Sequence, residues 1–155
     1  MPLLRAALSG NFVLATAICA SLLAQLIKVL LNLFIFHRFI AERMWGAGGM
    51  PSSHSATVCA MVVATGRYCG VNSPLFAIAA VLSIIVMYDA MGVRYETGEQ
   101  AKVLNRMFTE WMDQGFEQFQ LPHGKKLKEM VGHTPIEVVT GAALGIVLGF
   151  AMPMV

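Results

Sequence analysis

The chain has 155 residues, enough for a single domain spanning 1–155, and combines 57% hydrophobic with only 13% charged residues. Ordinary soluble domains carry about a quarter charged residues, so the composition designates the lipid bilayer as the solvent. A formal net charge of +2 with no basic stripe or tail argues against nucleic acid as a partner. Cys19, Cys59 and Cys69 stand in apolar runs without CxxC spacing, and read as small buried residues, not as a disulfide framework or a zinc site.

A membrane-spanning helix needs about 20 largely apolar residues, and residues 12–36 meet that length. The run lacks a cleavage pattern and exceeds a signal-peptide core, so it is read as retained. Ser21, Gln25, Lys28 and Asn32 follow one another at spacings of four, three and four, which places them on one helical face, expected to point into a bundle. Lys28 is an ionisable residue inside an apolar run. It marks a functional site, unless it snorkels to the interface beside polar packing residues.

Gly48, Gly49, Met50, Pro51, Ser52, Ser53 and His54 lead into a second, short apolar segment at residues 55–69. Its helix is expected to begin earlier, within this turn, or to be accommodated by tilt and local thinning of the bilayer. Glycines allow close backbone approach, and a helix N-terminus offers free N–H groups to an oxyanion, so the turn fits a phosphate cradle. The same residues also make an ordinary N-cap through Ser52 or Ser53, with His54 at the interface. Taken alone, the pattern leaves both readings open.

The third apolar run, residues 74–92, opens with Pro74, which suits a first helical turn. It closes on Asp89, with Arg94 just beyond. The two read as an ion pair at a helix end, and Arg94 alternatively as a forked phosphate ligand. Within the polar stretch 93–135, Leu104, Met107, Phe108, Trp111 and Met112 recur at helical spacing and predict an amphipathic helix on the membrane surface. His37 and His123 lack a comparable setting and read as surface residues.

Residues 136–152 form a fourth apolar run, preceded by Gly132, His133, Thr134 and Pro135. Thr134 and Glu137 fit a capping box with Pro135 in the first turn. Glu137 also stands four residues after His133, where it would accept the ring N–H and fix the tautomer, as an acid does in a triad. The two roles are compatible. Gly141, Gly145 and Gly149 repeat at the spacing of a helix-packing device.

Four spans put residues 36–50 and 93–135 on one side of the membrane. That side holds Arg38, Arg43, Arg94, Lys102, Arg106, Lys125, Lys126 and Lys128, against Arg5 and Arg67 on the other. The positive-inside rule then makes the long polar stretch cytoplasmic in a bacterial inner membrane. Lys28, His54, Arg94, Lys128, His133 and Glu137 converge on that face. Cations to hold an anion, two histidines and one acid suffice for phosphoryl transfer without metal or cofactor.

Three segments carry a family resemblance: GGMPSSHSA at 48–56, DAMGVRYETGEQAKVLN at 89–105 and LKEMVGHTPIEVVTGAALGI at 127–146. They resemble the divergent PAP2 family, related to acid phosphatases and vanadium-dependent haloperoxidases, and the match covers nearly the whole chain in order. In the wider superfamily a first motif holds a lysine and arginine, a second reads P-S-G-H, and a third has an arginine followed by H-x-x-x-D. By that resemblance Lys28 corresponds to the first-motif lysine, His54 to the histidine that protonates the leaving group, and His133 to the phosphorylated nucleophile. Glu137 replaces the orienting aspartate. Lys128 stands near the third-motif arginine with a different residue type and spacing, and Arg94 is the alternative ligand. The sequence departs from the pattern in lacking the first-motif R-P pair, in placing Ser53 where glycine stands, and in lacking the third-motif serine-arginine pair.

The sequence therefore leads to an all-α polytopic bundle of about four spans plus an interfacial amphipathic helix. Many membrane relatives have a six-span core, so dimerisation through the glycine pattern is the expected way to complete this one. The expected activity is hydrolysis of a lipid phosphomonoester or polyprenyl diphosphate through a phosphohistidine. His133, His54 and Glu137 would be catalytic, and Lys28, Ser52, Ser53, Arg94 and Lys128 phosphate-binding, with Asp89, Gln25 and Asn32 in support. The alternative is a membrane protein that binds or carries a phosphorylated lipid without hydrolysing it, a reading favoured by the missing R-P pair. Vanadate-dependent halide oxidation is a weaker third.

Overall fold

The computed structural model describes residues 10–36, 49–114, 126–129 and 131–154. His37 and His123, and Arg5, Arg38, Arg43 and Lys125 of the charge count, lie outside these. The described residues form five helices and no strand: α1 (Phe12–Phe36), α2 (Ser53–Cys69), α3 (Pro74–Met91), α4 (Val93–Asp113) and α5 (Pro135–Ala151).

Local chemistry fixes where each helix starts and stops. Asn11 caps α1 by accepting the Leu14 N–H at 3.0 Å. Ser52 caps α2, which begins two residues before the apolar run, as the shortness of that run implied. Gly70 at φ 83° follows the last residue of α2 in a conformation that favours glycine. Ser73 caps α3, with Pro74 in the first turn, where no N–H is needed. At Gly92 the backbone leaves helical geometry (φ −97°, ψ −97°), separating α3 from α4.

Helix α2 is central and packs against α1, α3 and α5. The buried residues at these contacts are small: Ala20 and Ala24 of α1 meet Ala56 and Ala60 of α2, with Leu144 and Leu148 packed against them. Large apolar residues point outward instead, among them Leu14, Ile18, Leu22 and Leu26 on α1, Ile78, Val81 and Ile85 on α3, and Val139, Val147 and Phe150 on α5. Small inside and large apolar outside is the packing that lipid selects, because close backbone approach and not apolar burial holds such helices together.

Gly141, Gly145 and Gly149 show this most directly. A Cβ at Gly141 would strike the backbone of Ser52, one at Gly145 the backbone of Ala56, and one at Gly149 would come within 2.6 Å of Val63 Cβ. The stripe is therefore occupied by α2 of the same chain, which corrects the expectation that it lies open for dimerisation. The face of α1 needs a second correction. Its buried line is Ala17, Ala20, Ala24 and Lys28, whereas Gln25 is exposed and Ser21 and Asn32 are half-buried. At about 100° per residue Gln25 sits roughly 100° from Ala24, beyond the edge of the strip that α2 covers. Of the cysteines only Cys59 is buried, since Cys19 and Cys69 lie on outward faces.

Among the described residues two stretches are long and apolar enough to cross a membrane, Phe12–Phe34 and the one that opens at Pro74, while Pro135–Ala151 is apolar but shorter. The expected four spans thus appear as four bundled helices, two of which meet the full length and apolarity. Helix α4 is amphipathic: Val93, Leu104, Met107 and Met112 are exposed, and the charged pairs Lys102–Glu99 and Arg106–Glu110 occupy another face. Phe108 and Trp111 meet edge to face, with ring centroids 6.0 Å apart.

The bundle has chemically distinct ends. At one, Arg67 Nη1 donates to the carbonyls of Gly149 (2.6 Å), Phe150 (3.0 Å) and Met152 (2.8 Å), closing α5, and its guanidinium lies over the Phe12 ring. The other end gathers the start of α2, the end of α3 and the start of α5.

Candidate active site at one end of the bundle

Two turns distant in sequence are bolted together here. The Ser52 N–H donates to the Glu137 carbonyl at 2.9 Å, and the absence of a side chain at Gly141 lets α5 lie against the Ser52 backbone. The Ser52 hydroxyl is fully buried, accepts from the Ser55 N–H at 3.3 Å and meets the Ser55 hydroxyl at 3.1 Å. Ser52 is thus committed to holding the turn. The Ser53 and His54 N–H groups remain as first-turn donors with no acceptor among the described residues.

His133 is fixed from three sides. Its N–H donates to the Ala90 carbonyl at the end of α3, at 3.0 Å. Beside it, Gly132 lies so close to the Tyr95 backbone that a Cβ would collide with it. Its ring Nδ1 lies 3.2 Å from Glu137 Oε2, the same oxygen that accepts the Thr134 N–H at 3.1 Å. Glu137 therefore closes its half of the capping box and holds the histidine at once, as the spacing suggested.

The tautomer that this contact selects has Nδ1 protonated and donating, which leaves the lone pair on Nε2. His133 is only 1% exposed, and Nε2 is buried with no hydrogen-bond partner among the described residues. Buried polar atoms without a partner are rare, and they call for a functional or ligand-based explanation. The ring of His54 stands edge-on to that of His133, with centroids 5.9 Å apart and planes at 63°. His54 is itself exposed.

Lys28 is the second unmet demand. It is 4% exposed and forms no ion pair among the described residues, although Glu137 acts on it through space and both Lys28 and His133 act on His54. Its methylenes lie along Gly49: a Cβ there would sit 3.5 Å from Lys28 Cδ, and the φ of +88° at Gly49 itself favours glycine. A buried cation without a partner is costly in apolar surroundings, and an incoming anion would relieve it.

The remaining expected residues sit further out. Ser53 is half-buried at the first position of α2. Arg94 is paired with Asp89 (Nε to Oδ2, 2.5 Å), both are substantially exposed, and both charges are felt at His54. Lys128 is exposed on a segment attached to α4, and no described contact joins it to His133. Gln25 faces away from the bundle interior, and Asn32 is half-buried. Sequence reasoning missed the Ser52–Glu137 backbone bond, the Ala90 carbonyl and the packing of Gly49 on Lys28. The first two have no signal in residue type, since each is a backbone contact between distant segments.

Residues 9–148 match the divergent PAP2 family, and the chain belongs to it. It is also similar to the uncharacterized membrane protein YuiD of Bacillus subtilis (strain 168), with 39% identity over 144 residues, covering 89% of this chain and 91% of that protein. No solved structure matches.

Proposed function

We propose that this divergent PAP2 family protein is a membrane phosphatase that cleaves a lipid phosphomonoester or a polyprenyl diphosphate through a phosphohistidine. The observation that carries the reading is the state of His133: Nδ1 engaged by Glu137, and Nε2 buried beside His54 with no partner among the described residues. Binding alone would need neither an oriented histidine nor a second histidine next to it.

In the first step the Nε2 lone pair attacks phosphorus and the P–O bond to the lipid breaks in line. His54, protonated, gives its proton to the departing oxygen. Glu137 stabilises the positive charge that develops on the His133 ring. In the second step His54 removes a proton from water, the resulting hydroxide attacks phosphorus, and the P–N bond breaks to release phosphate and regenerate Nε2. Lys28 and the free N–H groups of Ser53 and His54 offset the charge on the phosphoryl oxygens. Arg94 stands at the rim, with Asp89, as a further anion contact.

The reading extends to placement. Four helices of the bundle cross the inner membrane, with the shorter α2 and α5 accommodated by local thinning. The charge count supports a site on the cytoplasmic face, with α4 in the interface and its apolar side toward lipid.

One observation favours the second reading, a protein that binds or carries a phosphorylated lipid without turnover. Among the described residues Lys28 is the only buried cation at the site, Arg94 being neutralised by Asp89 and Lys128 standing apart. Phosphate release by the purified protein in detergent separates the two. The panel is phosphatidic acid, phosphatidylglycerophosphate and polyprenyl diphosphates, with and without EDTA, for wild type and His133→Ala. Chelator-resistant release that vanishes in the variant supports hydrolysis. Folded protein releasing no more than the variant from any lipid rejects it for these substrates and leaves binding.

A further inference from the structure

The segment that delivers His133 is held by a residue outside the site. Residues 126–129, 131 and 132 run back along α4, and Asn105 of α4 grips Leu127 and Glu129 with every polar atom of its amide. Its Oδ1 accepts the Leu127 N–H at 2.8 Å, while its Nδ2 donates to the Leu127 carbonyl at 2.9 Å and to Glu129 Oε1 at 2.8 Å. Asn105 is 5% exposed on a helix whose other faces are charged or openly apolar. Further along, α4 meets the same segment at two points where a side chain would not fit. A Cβ at Gly98 would lie 2.5 Å from the Glu129 carbonyl oxygen, and one at Gly132 would collide with Tyr95. The segment is therefore fastened at Asn105, Gly98 and Tyr95 in turn, and four residues after Glu129 it presents His133 to Ala90 and Glu137.

We propose that Asn105 is a positioning residue for His133: by clamping Leu127 and Glu129 to α4 it keeps the imidazole buried and aligned. Leu127 is held through both its N–H and its C=O, so the main chain is gripped as in a pair of strands, and few other side chains present an acceptor and a donor at that span. The consequence for catalysis rests on the hydrolytic reading. A displacement of about 1 Å at the nucleophile suffices for roughly a hundredfold loss in rate. The burial of His133 does not rest on that reading, which makes the two separable.

The test uses the full chain in detergent and two readouts. Diethyl pyrocarbonate modifies accessible unprotonated imidazoles, and mass spectrometry separates His133 from His54, whose exposure makes it the internal standard. Asn105→Ala is expected to raise the His133 modification rate, normalised to His54, by about tenfold or more through local opening of the strap. Its kcat for phosphate release should fall by about tenfold to a hundredfold while KM stays within about threefold. Asn105→Asp keeps the shape and the acceptor for Leu127 but sets a carboxylate against a carbonyl and Glu129, so it should act in the same direction if the alanine variant fails to fold. Glu129→Gln retains an acceptor and should resemble wild type. Unchanged His133 labelling in both Asn105 variants overturns the proposal, whatever the rates. Raised labelling upholds it even if wild type releases no phosphate, in which case the hydrolytic reading alone fails.

Discussion

Glu137 has two roles in the structure, and the pair Glu137→Ala and Glu137→Gln separates them. Its Oε2 accepts both the Thr134 N–H at 3.1 Å and the His133 Nδ1–H at 3.2 Å. Alanine removes both acceptors. Losing a helix cap costs about 0.5–2 kcal/mol, and stranding the donor of a fully buried histidine costs about 1–3 kcal/mol more. The sum, about 1.5–5 kcal/mol, corresponds to a fall of several degrees or more in the thermal midpoint of a chain this size. Glutamine can present an amide oxygen where Oε2 stood and keep both hydrogen bonds, so Glu137→Gln should unfold within about 1 kcal/mol of wild type. It lacks the negative charge that stabilises the imidazolium. Phosphate release by the glutamine variant should therefore drop by about 10²–10⁴-fold. Thermal unfolding followed by intrinsic fluorescence, alongside phosphate release from the lipid panel, reads both effects. A glutamine variant as active as wild type would show Glu137 to be a cap and nothing more, and the reasoning from triad geometry would fail.

Gly145→Ala should lower the thermal midpoint, because its Cβ would lie 2.9 Å from the Ala56 carbonyl carbon and 3.0 Å from Ala56 Cα. Separating α2 from α5 to admit it costs about 1–3 kcal/mol. A change in oligomeric state with an unchanged midpoint, measured by light scattering and thermal unfolding, would instead put the glycine stripe on a surface between chains. Lys28→Met exchanges a buried cation that forms no ion pair among the described residues for an apolar chain of similar reach, and is expected to leave the midpoint at or above that of wild type. Its phosphate release should fall by about 10²–10³-fold, the usual consequence of removing one group that offsets transition-state charge. Retained release would remove Lys28 from the site.

Much of the architecture was written locally. Apolar runs, Pro74, Ser52 or Ser53 as a cap, and the S/T-x-x-E pattern at Thr134 placed the helices, because capping and apolar length depend on neighbours within a few residues. The pairing of His133 with Glu137 was equally legible, since four residues along the chain around a helix start bring the two side chains onto one side. What only the tertiary structure decided concerns which surfaces meet. The glycine stripe of α5 was visible as a packing device, but its partner is α2 of the same chain and not a second copy, and spacing carries no information about the partner. Ser21, Gln25, Lys28 and Asn32 share a face within the tolerance of a helical wheel. The width of the contact, set by Ala20 and Ala24 against Ala56 and Ala60, admits only Lys28 of the four to the buried line. The His133–Ala90 and Ser52–Glu137 bonds are backbone contacts over long sequence separation. Every residue offers the same N–H and C=O, so nothing in the identity of the amino acids could have announced them.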